Sequence, residues 1–366
     1  MAEIKDPFFF PEWRSPDYYF FPDDVRKYPD AWLYVVWSRR GPGKTYSFLR
    51  SMYENDIKFA YMKRTIKDVG FICSNKFGFD LSPFVPVNRD TGSTIKPQLI
   101  NDGIGAFYAA EDEHGDPAGV PFGYCLALNA IKEIKGMELS DVDYICLDEF
   151  IPQPGERVIR SEGELLLSVY MTVQRDRIKR GKDPVKLVLF SNADAISTPI
   201  TNEIEIVDSM ADLQASGKTH LYDPERGILL HHITEDEVPL YEEEKSGIYK
   251  AMSRTAWGRK TFDGVFASND FSNVGRVQMK GYKPVTRYLY RNKIAYVYRN
   301  GADYYITYSK HQDRRLYDLE RENDQKAFYS DYVIDLRVAC IEGHLKTEAY
   351  SMYDLVWNYK KIFRIT

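Results

Sequence analysis

The sequence predicts an α/β chain in two parts, a helix-covered parallel sheet over residues 1–205 and a smaller α+β domain over residues 261–366, with 206–260 as the linking region. Three observations predict this. Residues 32–37, WLYVVW, form an unbroken apolar run that ends at SRRGPGKT and gives way to helical spacing over 46–53, which reads as strand, glycine loop, helix. Three further runs, 58–62 (KFAYM), 143–150 (DYICLDEF) and 185–190 (VKLVLF), are nearly as continuous and alternate with helical stretches such as 162–180. Strands this uniformly apolar are buried on both faces, the mark of a parallel sheet between helices. After residue 200 the pattern changes. Residues 201–260 are mostly polar, with an acidic stretch EDEVPLYEEEK at 235–245, and suggest connecting helices and loops. Beyond them YLYRNKIAYVYRN and ADYYITYSK, within 288–310, read as strands punctuated by turns at Arg291-Asn292 and Asn300-Gly301.

Bulk properties bound the function. With 366 residues, 44% of them hydrophobic, the chain has the material for two cores. Cys73, Cys125, Cys146 and Cys340 form no CxxC pair, which argues against a disulfide framework or a zinc site and suits a reducing cytoplasm. No apolar run approaches the roughly 20 residues of a membrane span, so the expectation is a soluble, unexported protein with no membrane partner. A net charge of −5 excludes a protein that coats nucleic acid by bulk electrostatics, so any phosphate contact needs a local basic patch. The 28 tyrosines are assigned to strands and interfaces. The six histidines, His231-His232 among them, show no metal spacing and are taken as structural.

The chemistry concentrates at three strand ends. Ser38, Arg39, Arg40, Gly41, Pro42, Gly43, Lys44 and Thr45 form a phosphate-binding loop: the glycines let backbone N–H groups curl around phosphates, Lys44 supplies a point charge, and the Thr45 hydroxyl binds Mg²⁺. Ser38 replaces the usual leading glycine. Asp148 and Glu149 close an apolar strand, where adjacent carboxylates need a cation; a nucleotide-bound Mg²⁺ fits, with Asp148 holding it through water and Glu149 orienting the attacking water. Ser191 and Asn192 end a further strand, placed to sense the γ-phosphate of ATP. Loop, acid pair and polar pair in this order predict a P-loop NTPase of the additional-strand type. Transition-state charge also calls for a cation, often from a neighbouring subunit. Arg175 and Arg177 are candidates, as are Lys132 and Lys135 on the approach to the Asp148 strand.

With these residues in view, the chain resembles the genome-packaging ATPases of small tailed phages of the phi-29 kind. The resemblance rests on arginines inside the glycine loop, the segment YMKRTIKD, a strand ending Asp-Glu-Phe-Ile, a helix ending TVQR and a strand ending Ser-Asn-Ala. It implies a terminase-related motor that hydrolyses ATP with Mg²⁺ and drives double-stranded DNA into a preformed capsid. It further implies a homopentameric ring in the host cytoplasm at the procapsid portal, held in the best-known case by a structural packaging RNA. The family's nucleotide contacts fall on Gly41, Gly43, Lys44 and Thr45, its catalytic acids on Asp148 and Glu149, and its trans-acting arginine on Arg175. A basic pair near the pore falls on Arg64 and Lys67, the DNA-binding candidates, and a lysine upstream of the acid pair on Lys135.

The resemblance also implies a ribonuclease H-like C-terminal domain. The strand cores at 294–298 and 304–308 carry no acid, while Asp303, Asp331 and Asp335 lie at turns or flanks, so the expectation is a nuclease-dead domain. Lys280, Lys283, Arg287, Arg291, Lys293 and Arg299 suit phosphate contact there. The rival readings are a terminase with a live metal-dependent nuclease, a P-loop kinase, and a DNA-binding structural protein without enzymatic activity.

Overall fold

The computed structural model describes residues 8, 13–73, 81–159, 161–175, 177–241, 245, 247–310 and 314–365. Part of the acidic stretch, residues 242–244, lies outside them. The chain divides into two compact units, Met1–Ser268 and Asn269–Thr366.

The strands of the first unit are β1 (Leu33–Ser38), β2 (Phe59–Lys63), β3 (Lys96–Asn101), β4 (Ile104–Tyr108), β5 (Ala110–Glu111), β6 (Pro117–Ala118), β7 (Gly123–Ala127), β8 (Tyr144–Asp148), β9 (Lys186–Asn192), β10 (His220–Asp223) and β11 (Ile228–Ile233). Nine of them make one sheet in the order β10-β11-β1-β9-β8-β2-β7-β4-β3; β5 and β6 pair separately. From β11 to β7 the pairings are parallel, and antiparallel strands close both edges. Every residue of β1, β8 and β11 is buried, as expected of runs covered on both faces. β9 stands between β1 and β8, so the strand ending Ser191-Asn192 is inserted between the glycine-loop strand and the acid-pair strand.

The helices that matter for the site are α1 (Phe21–Lys27), α2 (Lys44–Glu54), α3 (Ile66–Cys73), α4 (Val85–Thr91), α5 (Ile131–Ile134), α6 (Glu162–Gln174), α7 (Pro199–Glu203) and α8 (Val207–Ser216). Helical spacing puts Phe48, Leu49 and Met52 of α2 on the sheet. There Phe48 meets Phe21, Phe59, Tyr144 and Phe190 edge to face, at centroid distances of 5.4–6.3 Å. This is where part of the aromatic excess goes, and truncating Phe48 to Ala would cost about 3–5 kcal/mol. The backbone N–H of Phe21 donates to Ser47 Oγ at 2.8 Å, fixing α1 against α2.

The region 206–260, expected to link two domains, is instead built into the first unit. It supplies α8, β10 and β11, and β11 pairs in parallel with β1 along its whole length. Residues 228–233, ILLHHI, are a buried strand whose apolar character is hidden by the charged residues on either side. Residues 261–268, expected in the second domain, also belong to the first unit, where Phe266 packs on Trp37 with ring centroids 5.8 Å apart.

The second unit has β12 (Lys283–Tyr290), β13 (Lys293–Asn300), β14 (Asp303–Thr307), β15 (Leu316–Asp318) and β16 (Leu345–Thr347), in the order β15-β12-β13-β14-β16. The two hairpins are antiparallel and the outer strands join in parallel. Arg291 and Asn292, the turn between β12 and β13, both adopt positive φ, 50° and 57°, the geometry a tight hairpin demands. All four cysteines are buried and free. No helix among the described residues is long and apolar enough to cross a membrane.

Candidate active site

β1 delivers the chain into a loop whose two glycines sit at φ 91° (Gly41) and 87° (Gly43). A side chain is strained in that region, and at Gly43 a Cβ would also lie only 3.2 Å from the Tyr18 ring. Gly43 caps α2, so Lys44 and Thr45 open the helix, with the unpaired N–H groups of its first turn beside them. Lys44 folds back over the loop, its Nζ donating to Ser38 Oγ and, at 3.4 Å, to the Arg39 carbonyl. Burial pushes the Lys44 amine down to about 8, against the opposing pull of Asp148. A buried cation satisfied only by neutral oxygens is a site awaiting an anion.

Three segments brace this loop. The N–H of Tyr19 donates to the Pro42 carbonyl at 2.8 Å. Arg39, expected among the nucleotide contacts, is buried and donates instead to the carbonyls of Pro239 at 3.2 Å and Arg40 at 3.0 Å. Gly264, at φ 66°, lies so close that a Cβ there would be 2.3 Å from the Arg39 nitrogen. Arg40 is exposed and reaches Gln153 Oε1 at 3.1 Å. Pro42 is buried between these supports.

β8 brings the acids to the same place. Asp148 Oδ2 accepts from Thr45 Oγ1 at 3.1 Å and from the Tyr61 hydroxyl at 2.7 Å. Lys63, at the end of the neighbouring β2, stands 3.4 Å from Asp148 and 2.7 Å from Glu149. Burial opposes its charge, but the two carboxylates outweigh burial and the Lys63 amine is held above its usual range. Glu149 has φ 57°, rare for a residue with a side chain and frequent at functional strand ends. Its carboxylate is half-exposed, facing outward from the strand tip.

The strand register aligns the remaining pair: Trp37 lies opposite Ser191 and Ser38 opposite Asn192. Ser191 is buried and its Oγ accepts from the Ile151 N–H at 3.3 Å, while Asn192 is half-buried beside Ser38. Loop, acid pair and polar pair thus converge on one end of β1, β9 and β8.

Other candidates lie elsewhere. Arg175 is exposed at the end of α6, and Lys135 is exposed at the end of α5. Arg177 corrects the expectation of a trans-acting group. It is 2% exposed and bonds Asp143 Oδ1 at 2.6 Å and the carbonyls of Val142, Ser140 and Asp183 at 2.7–3.0 Å, a strut under the start of β8. Arg64 likewise does not face solvent. It pairs with Glu162 at 2.9 Å and with Glu156, and donates to the Arg157 carbonyl at 2.9 Å, suspending the loop between β8 and α6. Lys67 of the same basic pair is exposed on α3. Tyr61, Lys63 and Gly264 were not among the expected site residues; the first two lie in YMKRTIKD, and for the third the dipeptide Asp263-Gly264 is the only local signal.

No protein-family model and no curated protein sequence matches the chain. Solved structures do. The bacteriophage Phi-29 viral genome packaging motor assembly aligns over 95% of this chain and 100% of its own, with a TM-score of 0.61 and 17% identity. Its fold is the fold of a phage packaging motor. The Phi-28 gp11 DNA packaging motor aligns over 96% of this chain and 99% of its own, with a TM-score of 0.58 and 15% identity.

Proposed function

We propose that this chain is the ATP-hydrolysing subunit of a motor that translocates double-stranded viral DNA into a preformed capsid. The observation that carries the reading is the meeting of the Thr45 hydroxyl with Asp148 Oδ2, 3.1 Å apart, beside a buried lysine whose hydrogen bonds run to neutral oxygens. The fold shared with the two packaging motors along nearly the whole chain supports the DNA-packaging part.

The donor set fits Mg²⁺, a hard cation that selects oxygen ligands. Thr45 would hold the ion directly and Asp148 through water, and the bound ion would neutralise phosphate charge. Lys44 and the loop N–H groups bind the β- and γ-phosphates. Glu149 orients the attacking water and takes its proton, which requires its ion pair with Lys63 to open. Asn192, beside Ser38, reports whether the γ-phosphate is present, and Ser191 fixes the turn after Glu149 through Ile151. Arg175 and Lys135, both exposed, serve a neighbouring subunit's site in a homo-oligomeric, pentameric ring at the capsid portal, with a packaging RNA as a further partner. Lys67 touches DNA phosphates.

The second unit is read as a ribonuclease H-like fold without nuclease chemistry. Asp303 pairs with His344 at 2.8 Å, and Asp331 accepts from the Tyr317 hydroxyl at 2.7 Å and pairs with Arg315 at 3.8 Å. Among the described residues no group of metal-ligating side chains in this unit converges on one point.

Phosphate release by purified protein, with and without duplex DNA and empty capsids, tests the reading. Turnover without an added acceptor, stimulated by DNA and capsids, is expected. Turnover that depends on a small-molecule acceptor would make the chain a kinase, and none under any of these conditions would leave a structural DNA-binding protein.

A further inference from the structure

β10 and β11 are antiparallel, and His220 stands directly opposite His231 in their register. Opposed residues share a sheet face, and the two imidazoles stack with centroids 3.8 Å apart. Asp24 of α1 is buried against them, with His231 Nδ1 at 2.8 Å from Oδ2 and His220 Nε2 at 3.3 Å from Oδ1. The three ligand atoms lie within 4.8 Å of one another.

The outer atoms are arranged as well. The second nitrogen of His231 meets Glu237 Oε2 at 2.8 Å, and the second nitrogen of His220 meets Thr219 Oγ1 at 2.8 Å. Each ring therefore turns one nitrogen toward Asp24 and has the other held by an oxygen, the arrangement that orients histidines toward a metal. Two carboxylates and two neutral imidazoles around one divalent cation also leave no net charge in a buried place. The cluster lines a cavity with Arg14, Tyr18 and Tyr19, which leaves room for water as a further ligand.

We propose that Asp24, His220 and His231 form a binding site for a zinc-class divalent transition metal, with Glu237 and Thr219 as positioning residues. Mixed imidazole and carboxylate donors select this class over Mg²⁺, which takes oxygen ligands. The metal clamps α1 to the β10–β11 edge. Because the Tyr19 hydroxyl donates to Asp24 at 2.7 Å while the Tyr19 N–H holds the Pro42 carbonyl at 2.8 Å, the clamp also steadies the glycine loop.

The test uses the full chain without nucleotide, in excess Mg²⁺. Titration with Co²⁺ should give one equivalent bound per chain, with a visible absorption band of the intensity of a low-coordinate site, and Zn²⁺ should displace it and raise Tm. His220→Ala, at a half-buried position, should fold and lose the band, and His344→Ala in the second unit should keep it. Thr219→Val should bind about 10- to 100-fold more weakly, the usual effect of losing such a positioning group. Wild-type protein that shows neither band nor Tm rise, or a His220→Ala variant that retains both, would make the cluster a proton-bridged network and overturn the proposal. Should His220→Ala fail to fold, undiminished binding by Thr219→Val overturns it equally.

Discussion

Two lysines, one opening α2 and one ending β2, stand within one site and are held in opposite ways. Lys44 is buried against neutral oxygens, and burial pushes its amine down to about 8. Lys63 is nearly as enclosed, yet Asp148 and Glu149 keep it above its ordinary range. The site divides its work between them. One cation hydrogen-bonds neutral oxygens and is ready for phosphates, whereas the other occupies the acids until a reaction needs them.

The largest expected effect separates binding from chemistry on the Lys44 side. Lys44→Ala should lose both ATP binding and hydrolysis, while Glu149→Gln should keep ATP and lose turnover by about 100-fold or more, the scale of removing one preorganised catalytic group. Equilibrium binding of a fluorescent ATP analogue together with single-turnover hydrolysis reads both. Hydrolysis by either variant at the normal rate breaks the comparison, because the site would then lie elsewhere.

A second effect asks whether a buried cation with acid partners serves structure. Arg64→Ala leaves Glu162, 2% exposed, without its counter-charge, and should destabilise the first unit by about 3–5 kcal/mol. Denaturant unfolding measures it; full stability with weakened DNA binding would restore Arg64 to the DNA.

Lys63→Ala should leave ATP affinity unchanged and free Glu149. Basal hydrolysis then rises by no more than about fivefold, since a half-exposed ion pair is worth about 1 kcal/mol at most. A kcat that falls 100-fold would make Lys63 part of the chemistry and sharpen the comparison in the other direction. The smallest effect belongs to Lys67, whose replacement by Ala should lower the salt dependence of DNA affinity by about one phosphate contact and leave stability alone.

How far all this was readable in the sequence depended on whether a residue's role followed from its neighbours in the chain. β1, β8 and β9 were legible because a strand buried on both faces needs an unbroken apolar run, and their polar ends fell in line because parallel strands share a direction. β11 was not: its six residues lie among charges, and its burial follows from pairing with β1, nearly two hundred residues away in sequence. The burial of Arg64 and Arg177 was hidden for the same reason. An arginine in a charged run reads as surface, and only the fold brings Glu162 to one and the carbonyls of Ser140 and Val142 to the other. Asp24, His220 and His231 come from three places in the chain, so no spacing rule joins them. Nothing in the sequence around Gly264 says that it rests on the glycine loop.

A nucleotide's triphosphate is expected to lie between Lys44 and Thr45 on one side and Asp148 and Glu149 on the other. A structure of the Glu149→Gln protein with ATP and Mg²⁺ tests it most directly. Density for the terminal phosphates is expected against Lys44 Nζ and the first turn of α2, with the ion on the Thr45 hydroxyl. Nucleotide bound elsewhere, or Lys44 still resting on Ser38 with no phosphate beside it at saturating ATP, would contradict it.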